Sequence, residues 1–357
     1  MLVMSDKPAL LQEVATLEKK LKEATLPPEL EQKALEMVGR LGRMARFGEY
    51  SSEYEKTARY IDWITVLPWN KRSDDILDLE NTQKILDKNH YALGQVKERI
   101  LEYIAVLKLK RQNAKETDQP VVRAPILCFV GLVGTGKTTL AYSIAEAMGR
   151  KFARIPFGGL GDPLDLRGQS RLRLDAEPGL IIKALRRTGT KNPVILLDEI
   201  DRVTDEGRSS IMGVLVELLD PEQNSSFQDH FIDYPFDLSE VLFIATCNNT
   251  TNISVAVMDR LEPIQMPSYT DEEKIIIGRD YILPRSLEET GLNPQIVKID
   301  PDVWPKIVRP LGYDAGIRTL ERTIKGLCRK LAKMKVEGKQ QQFHLTAENI
   351  KEFLPSW

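Results

Sequence analysis

The residues best suited to chemistry lie in one run, Gly131-Leu132-Val133-Gly134-Thr135-Gly136-Lys137-Thr138, which has the form G-x-x-x-x-G-K-[ST] of a phosphate-binding loop. Glycines at these places let backbone N–H groups turn inward on a polyphosphate, and a helix starting at the loop adds positive potential. In such a loop Lys137 reaches the β- and γ-phosphates and Thr138 offers its hydroxyl to Mg2+, with Gly134, Thr135, Gly136 and Thr139 completing the cradle. A second group, Asp198-Glu199-Ile200-Asp201, closes the apolar run Pro193 to Leu197. Acids at the carboxyl end of a buried parallel strand sit where ligands bind in open α/β sheets. Asp198 suits a Mg2+ shell, and Glu199 suits a group that polarises attacking water. Asn248, just after the apolar run Val241 to Thr246, could orient that water, and it could equally be an ordinary turn residue.

These groups need a strand–loop–helix frame, and the flanks supply it. Ile126 to Val130 reads as a buried strand, and Thr139 to Met148 has helical spacing. Phe152, Ile155 and Phe157 suggest a second strand; residues 158–179 read as loops. A helix is expected from about Ser209 to Leu219, and a last short strand at Ile264 to Met266. The fold class is therefore α/β, a parallel sheet around a phosphate loop at 67–267, followed by a smaller helical domain at 268–357. Thr270 with Glu273 forms a capping box there, and a basic helix opens near Gly316 and runs through Lys335. A short helical region precedes the sheet at 1–66, with one seam at Leu10, Val14, Leu17, Leu21 and Ala24 and further helices after Pro28 and Ser52. Asn89 to Gln95 reads as a turn into a helix from Val96 to about Leu109. His90 or Tyr91 could lie against a nucleotide base, or the turn could simply cap the helix. Ile76, Leu79, Ile85 and Leu86 belong to a mixed segment, and 111–124 is a polar, exposed loop.

Composition narrows the classes. A chain of 357 residues holds two or three domains, and 42% hydrophobic with 29% charged residues is a globular balance. The formal net charge of −2 gives no bulk attraction to nucleic acid or membrane, and no apolar run reaches the ~18 residues of a membrane span. The three cysteines, Cys128, Cys247 and Cys328, lie far apart without metal spacing, so packing in a reduced, cytoplasmic-type interior is their expected role. Lys325, Arg329, Lys330, Lys333 and Lys335 could touch nucleic acid, but with overall charge near neutral they read better as a solvated helix face.

From Leu67 onward the sequence resembles the AAA+ module of the Lon family of ATP-dependent proteases, bacterial and mitochondrial type. The resemblance rests on Leu67-Pro68-Trp69, His90-Tyr91, Lys97 to Tyr103, the phosphate loop, Pro193 to Asp201, Leu219-Asp220-Pro221-Glu222-Gln223-Asn224, Asp229-His230 and Gly316 to Arg322. It implies ATP/ADP and Mg2+ as ligands and ATP hydrolysis coupled to remodelling or translocating a polypeptide. It implies Asn248 as the sensor that positions water and Arg260 as an arginine finger serving a neighbouring subunit. Arg318 becomes a second sensor on a helical lid, and His90 and Tyr91 fall in the segment near adenine. A homo-oligomeric, hexameric ring follows, in the cytoplasm or, in a eukaryote, the mitochondrial matrix.

The family's Ser–Lys peptidase domain would follow the lid, and its substrate-recognition domain would precede Met1, so no peptidase activity is expected of this sequence itself. Two loops also depart from the family. Arg173 and Leu174, followed by Asp175, stand where an aromatic and an aliphatic residue grip substrate, and Gly207 stands where tryptophan is usual. Those changes leave two alternatives: an adaptor or inhibitor subunit of a full-length Lon-type protease, or a nucleic-acid-stimulated ATPase using Arg171, Arg173 and Arg208.

Overall fold

A computed structural model describes residues 7–47, 52–117, 125–173, 175–309 and 316–355. Its strands, in chain order, are β1 (Ile126–Val130), β2 (Phe152–Pro156), β3 (Val194–Asp198), β4 (Phe227–Gln228), β5 (Pro235–Phe236), β6 (Leu242–Cys247), β7 (Leu261–Gln265), β8 (Val297–Ile299) and β9 (Phe343–Leu345). Five of them form one sheet in the order β2-β3-β6-β1-β7, with every pairing parallel. Every residue of β3 and β6 is buried, which is why those strands read as unbroken apolar runs: a parallel sheet is covered on both faces. Cys128 and Val130 enter the core on one face, Leu127 and Phe129 the core on the other, as the strand period of two requires.

Helices α1 (Lys7–Glu23), α2 (Pro28–Phe47) and α3 (Ser52–Val66) open the chain. Val14, Leu17 and Leu21 are buried on the seam, facing Leu30, Ala34 and Val38 of α2 and Ile61 and Ile64 of α3. Among its described residues this helical region has no core of its own. One apolar cluster runs from Val14 through Trp69 to Phe157 and Phe243 of the α/β domain. Trp69 is the joint, with its ring 4.8 Å from that of Phe236 and its Nε1 donating to the Ile64 carbonyl at 2.7 Å.

The segment expected to be mixed is instead helix α4 (Leu79–Asn89), whose first turn is capped by Asp78 accepting from the Asn81 N–H at 2.7 Å. Helix α5 (Gly94–Thr117) runs eight residues past the expected end, so 111–117 is helix rather than loop. The reason is local: the stretch Lys108 to Glu116 is rich in good helix formers and holds neither Gly nor Pro. Residues 118–124 of that expected loop lie outside the described residues. A helix at Leu180–Thr188 has no counterpart in the sequence reading, while β7 starts three residues earlier than expected.

The C-terminal part carries its own core around Trp304, Ile307, Leu320, Ile324 and Leu327. It begins with the expected capping box: the Thr270 hydroxyl accepts from the Glu273 N–H, and the Glu273 carboxylate accepts from the Thr270 N–H. Its longest helix is Arg318–Val336. Within the basic run on it, Lys325 pairs with Glu321 and Glu289 and Lys333 with Glu337, while Lys330 donates to the Leu354 carbonyl. All three cysteines are buried and free, but Cys128 and Cys247 are not far apart in space, their Sγ atoms being 3.9 Å apart across β1 and β6. Among the described residues, no helix is long and apolar enough to cross a membrane.

Candidate active site

The strand order decides the geometry of the site. Strand β6 stands between β1 and β3, so Asn248 emerges between the phosphate loop after β1 and the acids after β3. Helix α6 (Lys137–Ala147) begins at the loop with Gly136 as its N-cap at φ +94°, and Gly134 has φ +83°. Side-chain-bearing residues rarely take these angles, so the glycines are what let the loop wrap. The Thr135 hydroxyl donates to the Leu132 carbonyl at 2.9 Å and that of Thr139 to the Gly136 carbonyl at 2.8 Å, bracing the turn.

Lys137 Nζ donates to the carbonyls of Gly131 (2.5 Å) and Leu132 (3.0 Å) and to Asn248 Oδ1 (3.2 Å). Burial draws its pKa below the ordinary lysine value, while Cys247, Asp201, Glu199 and Asp198 push the other way. Thr138 Oγ1 lies 3.3 Å from Asp198 Oδ1, so loop hydroxyl and strand carboxylate face each other. Glu199 sits in the left-handed region at φ +59°, ψ +50°, a strained conformation for a residue with a β-carbon, and such strain clusters at functional sites. Its N–H is fixed by Thr246 Oγ1 at 2.9 Å. The Asn248 Nδ2 is buried and has no hydrogen-bond partner among the described residues. It is a donor waiting for an acceptor in the middle of the site.

The remaining candidates lie around this centre. Arg318 opens its helix beside the cradle: the Ile317 N–H donates to the Gly134 carbonyl at 3.0 Å, and a β-carbon on Gly134 would sit 3.2 Å from that of Arg318. The Arg318 side chain is exposed. His90 is buried, with Nε2 2.9 Å from Ser143 Oγ on α6. Burial first, then Lys97, lowers its pKa to about 4, so the ring is neutral at pH 7. Tyr91 is half-buried with its ring 6.3 Å from that of Tyr281. Arg260 stands apart: its Nη2 donates to Asp220 at 2.8 Å and its Nη1 to the Ala256 carbonyl at 2.8 Å, with no bond to the cradle.

Several site residues escaped the sequence reading. Thr246 also donates to Asp198 Oδ1 at 2.5 Å, and Asp201, named in the acidic group but given no role there, accepts through Oδ2 from the Asn248 N–H at 3.1 Å, setting the turn that aims Asn248. Arg154 of β2 donates to Asp198 Oδ2 at 2.6 Å. A lone arginine within an apolar strand was the available signal for the last. Together the groups fit a metal-bound triphosphate: a glycine cradle, one ammonium, a hydroxyl–carboxylate pair and an unpartnered amide. No cluster of three or more His, Cys, Asp or Glu among the described residues could hold a metal alone. The Thr138–Asp198 pair suits Mg2+, which takes one or two protein oxygens and completes its shell with phosphates and water.

Residues 127–269 match the AAA family, the ATPase family associated with various cellular activities, and residues 288–343 match the Lon protease AAA+ ATPase lid domain. Lon protease 2 of Thermus thermophilus is 44% identical over 346 residues, covering 96% of this chain and 43% of that protein. The Lon protease of Lawsonia intracellularis is 44% identical over 343 residues, covering 96% and 40%. The chain belongs to the AAA+ ATPases of the Lon family. It spans about two fifths of the length of these curated relatives.

In this Lon-type module the described residues of the two altered loops are tied down by side-chain bonds. Loop 168–179 is closed at its base by the buried Asp229, which accepts from the N–H groups of Gly179 (2.7 Å), Phe231 (2.8 Å) and Ile232 (3.0 Å). Helix α3 braces it: Arg59 donates to the Ala176 carbonyl at 2.7 Å, and the Arg171 guanidinium lies 4.1 Å over the Tyr60 ring while bonding Asp233 at 3.2 Å. Leu172, 90% exposed, and Arg173 project from the loop, and Leu174 lies outside the described residues. In the second loop Arg208 pairs with Asp205. A β-carbon on Gly207 would meet the Gly161 carbonyl oxygen at 2.1 Å and its Cα at 2.6 Å, both backbone atoms that cannot step aside. The usual aromatic is therefore sterically excluded here. Gly207→Ala is expected to cost about 1–3 kcal/mol, the usual range for overpacking, read as a lower urea midpoint at unchanged slope. An unchanged midpoint would show that the loop has room.

Proposed function

We propose that this chain binds ATP and Mg2+ and hydrolyses ATP, and that the reaction drives remodelling or translocation of a polypeptide. The observation that carries the reading is the convergence of Lys137, Thr138, Asp198, Glu199 and Asn248 at the carboxyl ends of three neighbouring parallel strands. Lys137 and the loop N–H groups bind the phosphates. Thr138 and Asp198 hold Mg2+, which when bound supplies charge stabilisation at the phosphoryl oxygens. Glu199 accepts the proton of the attacking water, and the unpartnered Asn248 Nδ2 donates to that water and fixes its direction.

Arg318 brings the lid to the cradle, and the segment of His90 and Tyr91 borders the adenine. Arg260 makes no bond within its own cradle, which favours service to the cradle of a neighbour in a homo-oligomeric, hexameric ring. A polypeptide is favoured over nucleic acid because two of the three loop arginines, Arg171 and Arg208, are already paired with Asp233 and Asp205, leaving Arg173 exposed. Passing that polypeptide to a peptidase, in the same or a partner chain, accords with the name Lon protease carried by the relatives.

Titration with a fluorescent ATP analogue in the presence of Mg2+ tests the binding step. Lys137→Ala is expected to bind about a hundredfold more weakly, the loss of one strong charge-assisted contact. Equal affinity in the variant would contradict the assignment of the cradle.

A further inference from the structure

Asp198 is almost fully buried, its side chain 4% exposed, and its charge is compensated mainly by one neighbour. Arg154 Nε donates to its Oδ2 at 2.6 Å, from a side chain that is itself 53% exposed. The Thr246 hydroxyl takes Oδ1 at 2.5 Å, while the Thr138 hydroxyl, at 3.3 and 3.5 Å from the two oxygens, is too distant and divided for a full bond. Among the described residues Arg154 has no second acidic partner, and besides its strand pairing the Arg187 guanidinium donates to its carbonyl at 3.3 Å. The strand register explains the reach: Arg154 pairs with Leu196 and Pro156 with Asp198, so the long side chain runs two residues along the sheet edge to the carboxylate.

The geometry points to Arg154 as a gate on the divalent-cation side of the site: it neutralises Asp198 and must yield that carboxylate before a cation is held there. The inference rests on the reading of Asp198 as a Mg2+ contact. A paired aspartate offers a bare cation little field, and a unit positive charge in contact with the carboxylate opposes a divalent cation by about tenfold in affinity even with water-like screening. The triphosphate, which brings its own negative charge, restores the attraction. Cation and nucleotide are then accepted together rather than the cation alone. A half-exposed guanidinium can leave without opening a cavity, so the gate moves at little structural cost. The opposite role, in which Arg154 merely orients Asp198, predicts the opposite sign, because loosening a ligand weakens cation binding.

The test uses the whole chain, Mn2+ as a spectroscopic probe and a fluorescent ATP analogue. Arg154→Gln should bind Mn2+ in the absence of nucleotide about tenfold more tightly than the wild type, and the Mg2+ concentration that half-saturates nucleotide binding should fall in parallel. Arg154→Lys, which keeps the charge, should stay within about threefold of the wild type. If Arg154→Gln lowers the melting temperature, Mn2+ should raise it again by more than it raises that of the wild type, since the cation replaces the missing positive charge. Mn2+ affinity that is unchanged or weaker in Arg154→Gln overturns the gate while leaving the ATP site intact. A wild type that binds no nucleotide at any Mg2+ concentration overturns the ATP reading itself, and the gate with it.

Discussion

Glu199→Gln should bind the ATP analogue within about threefold of the wild type and lose about 10²–10⁴-fold in turnover, the usual share of a general base. Gln has the shape of Glu and can keep the φ +59°, ψ +50° backbone, whose N–H is held by Thr246 Oγ1 at 2.9 Å. What it cannot do is accept a proton from water. The carboxylate is free to do so: 29% exposed, its ion-pair partner is Arg202, no nearer than 3.6 Å. Phosphate release measured beside the binding titration separates the two effects. Near-normal hydrolysis in the variant would remove Glu199 from the chemistry.

Arg260→Ala should keep nucleotide binding and lose about 10³–10⁵-fold in hydrolysis, the range of an arginine finger. Arg260 is not a loose surface charge. Both of its terminal nitrogens are fixed, one on Asp220 and one on the Ala256 carbonyl, and the buried Nε has no partner among the described residues. Arg260 in turn is the first cause of the lowered pKa of Asp220. A guanidinium held this way, with no bond to its own cradle, accords with the proposed service to a neighbouring subunit. The wild-type rate should then rise with protein concentration, whereas a rate independent of both concentration and Arg260 would argue for a self-sufficient monomer.

The parts of this site that local sequence announces are the phosphate loop, the apolar strands and the acids that end β3, because each is a short run with its own chemistry. What holds those parts together is announced nowhere locally. Thr246 reaches Asp198 across 48 positions and Arg154 across 44, and both contacts exist only because β6 and β2 flank β3. The same holds for Cys128 and Cys247, whose spacing of 119 positions hides neighbours on adjacent strands. Helix Leu180–Thr188 was obscured by the Pro178-Gly179 that precedes it and by Arg186-Arg187 at its end, though Ile181, Ile182 and Leu185 are buried. His90 could be read as a ring for a base; its burial against Ser143 depends on how α4 packs on α6. Gly207 marks a missing aromatic in sequence, but only the backbone of Gly161 shows why no side chain fits.

Mixing the two crippled variants tests most directly the claim that ATP is hydrolysed at a site shared between subunits. Glu199→Gln keeps its arginine finger but lacks the base; Arg260→Ala keeps the base but lacks the finger. Equal amounts, combined at a concentration where mass in solution shows assembly, should regain ATPase activity well above the sum of the two alone, since each Arg260→Ala cradle beside a Glu199→Gln neighbour becomes complete. A mixture no more active than its separate components would contradict the shared site.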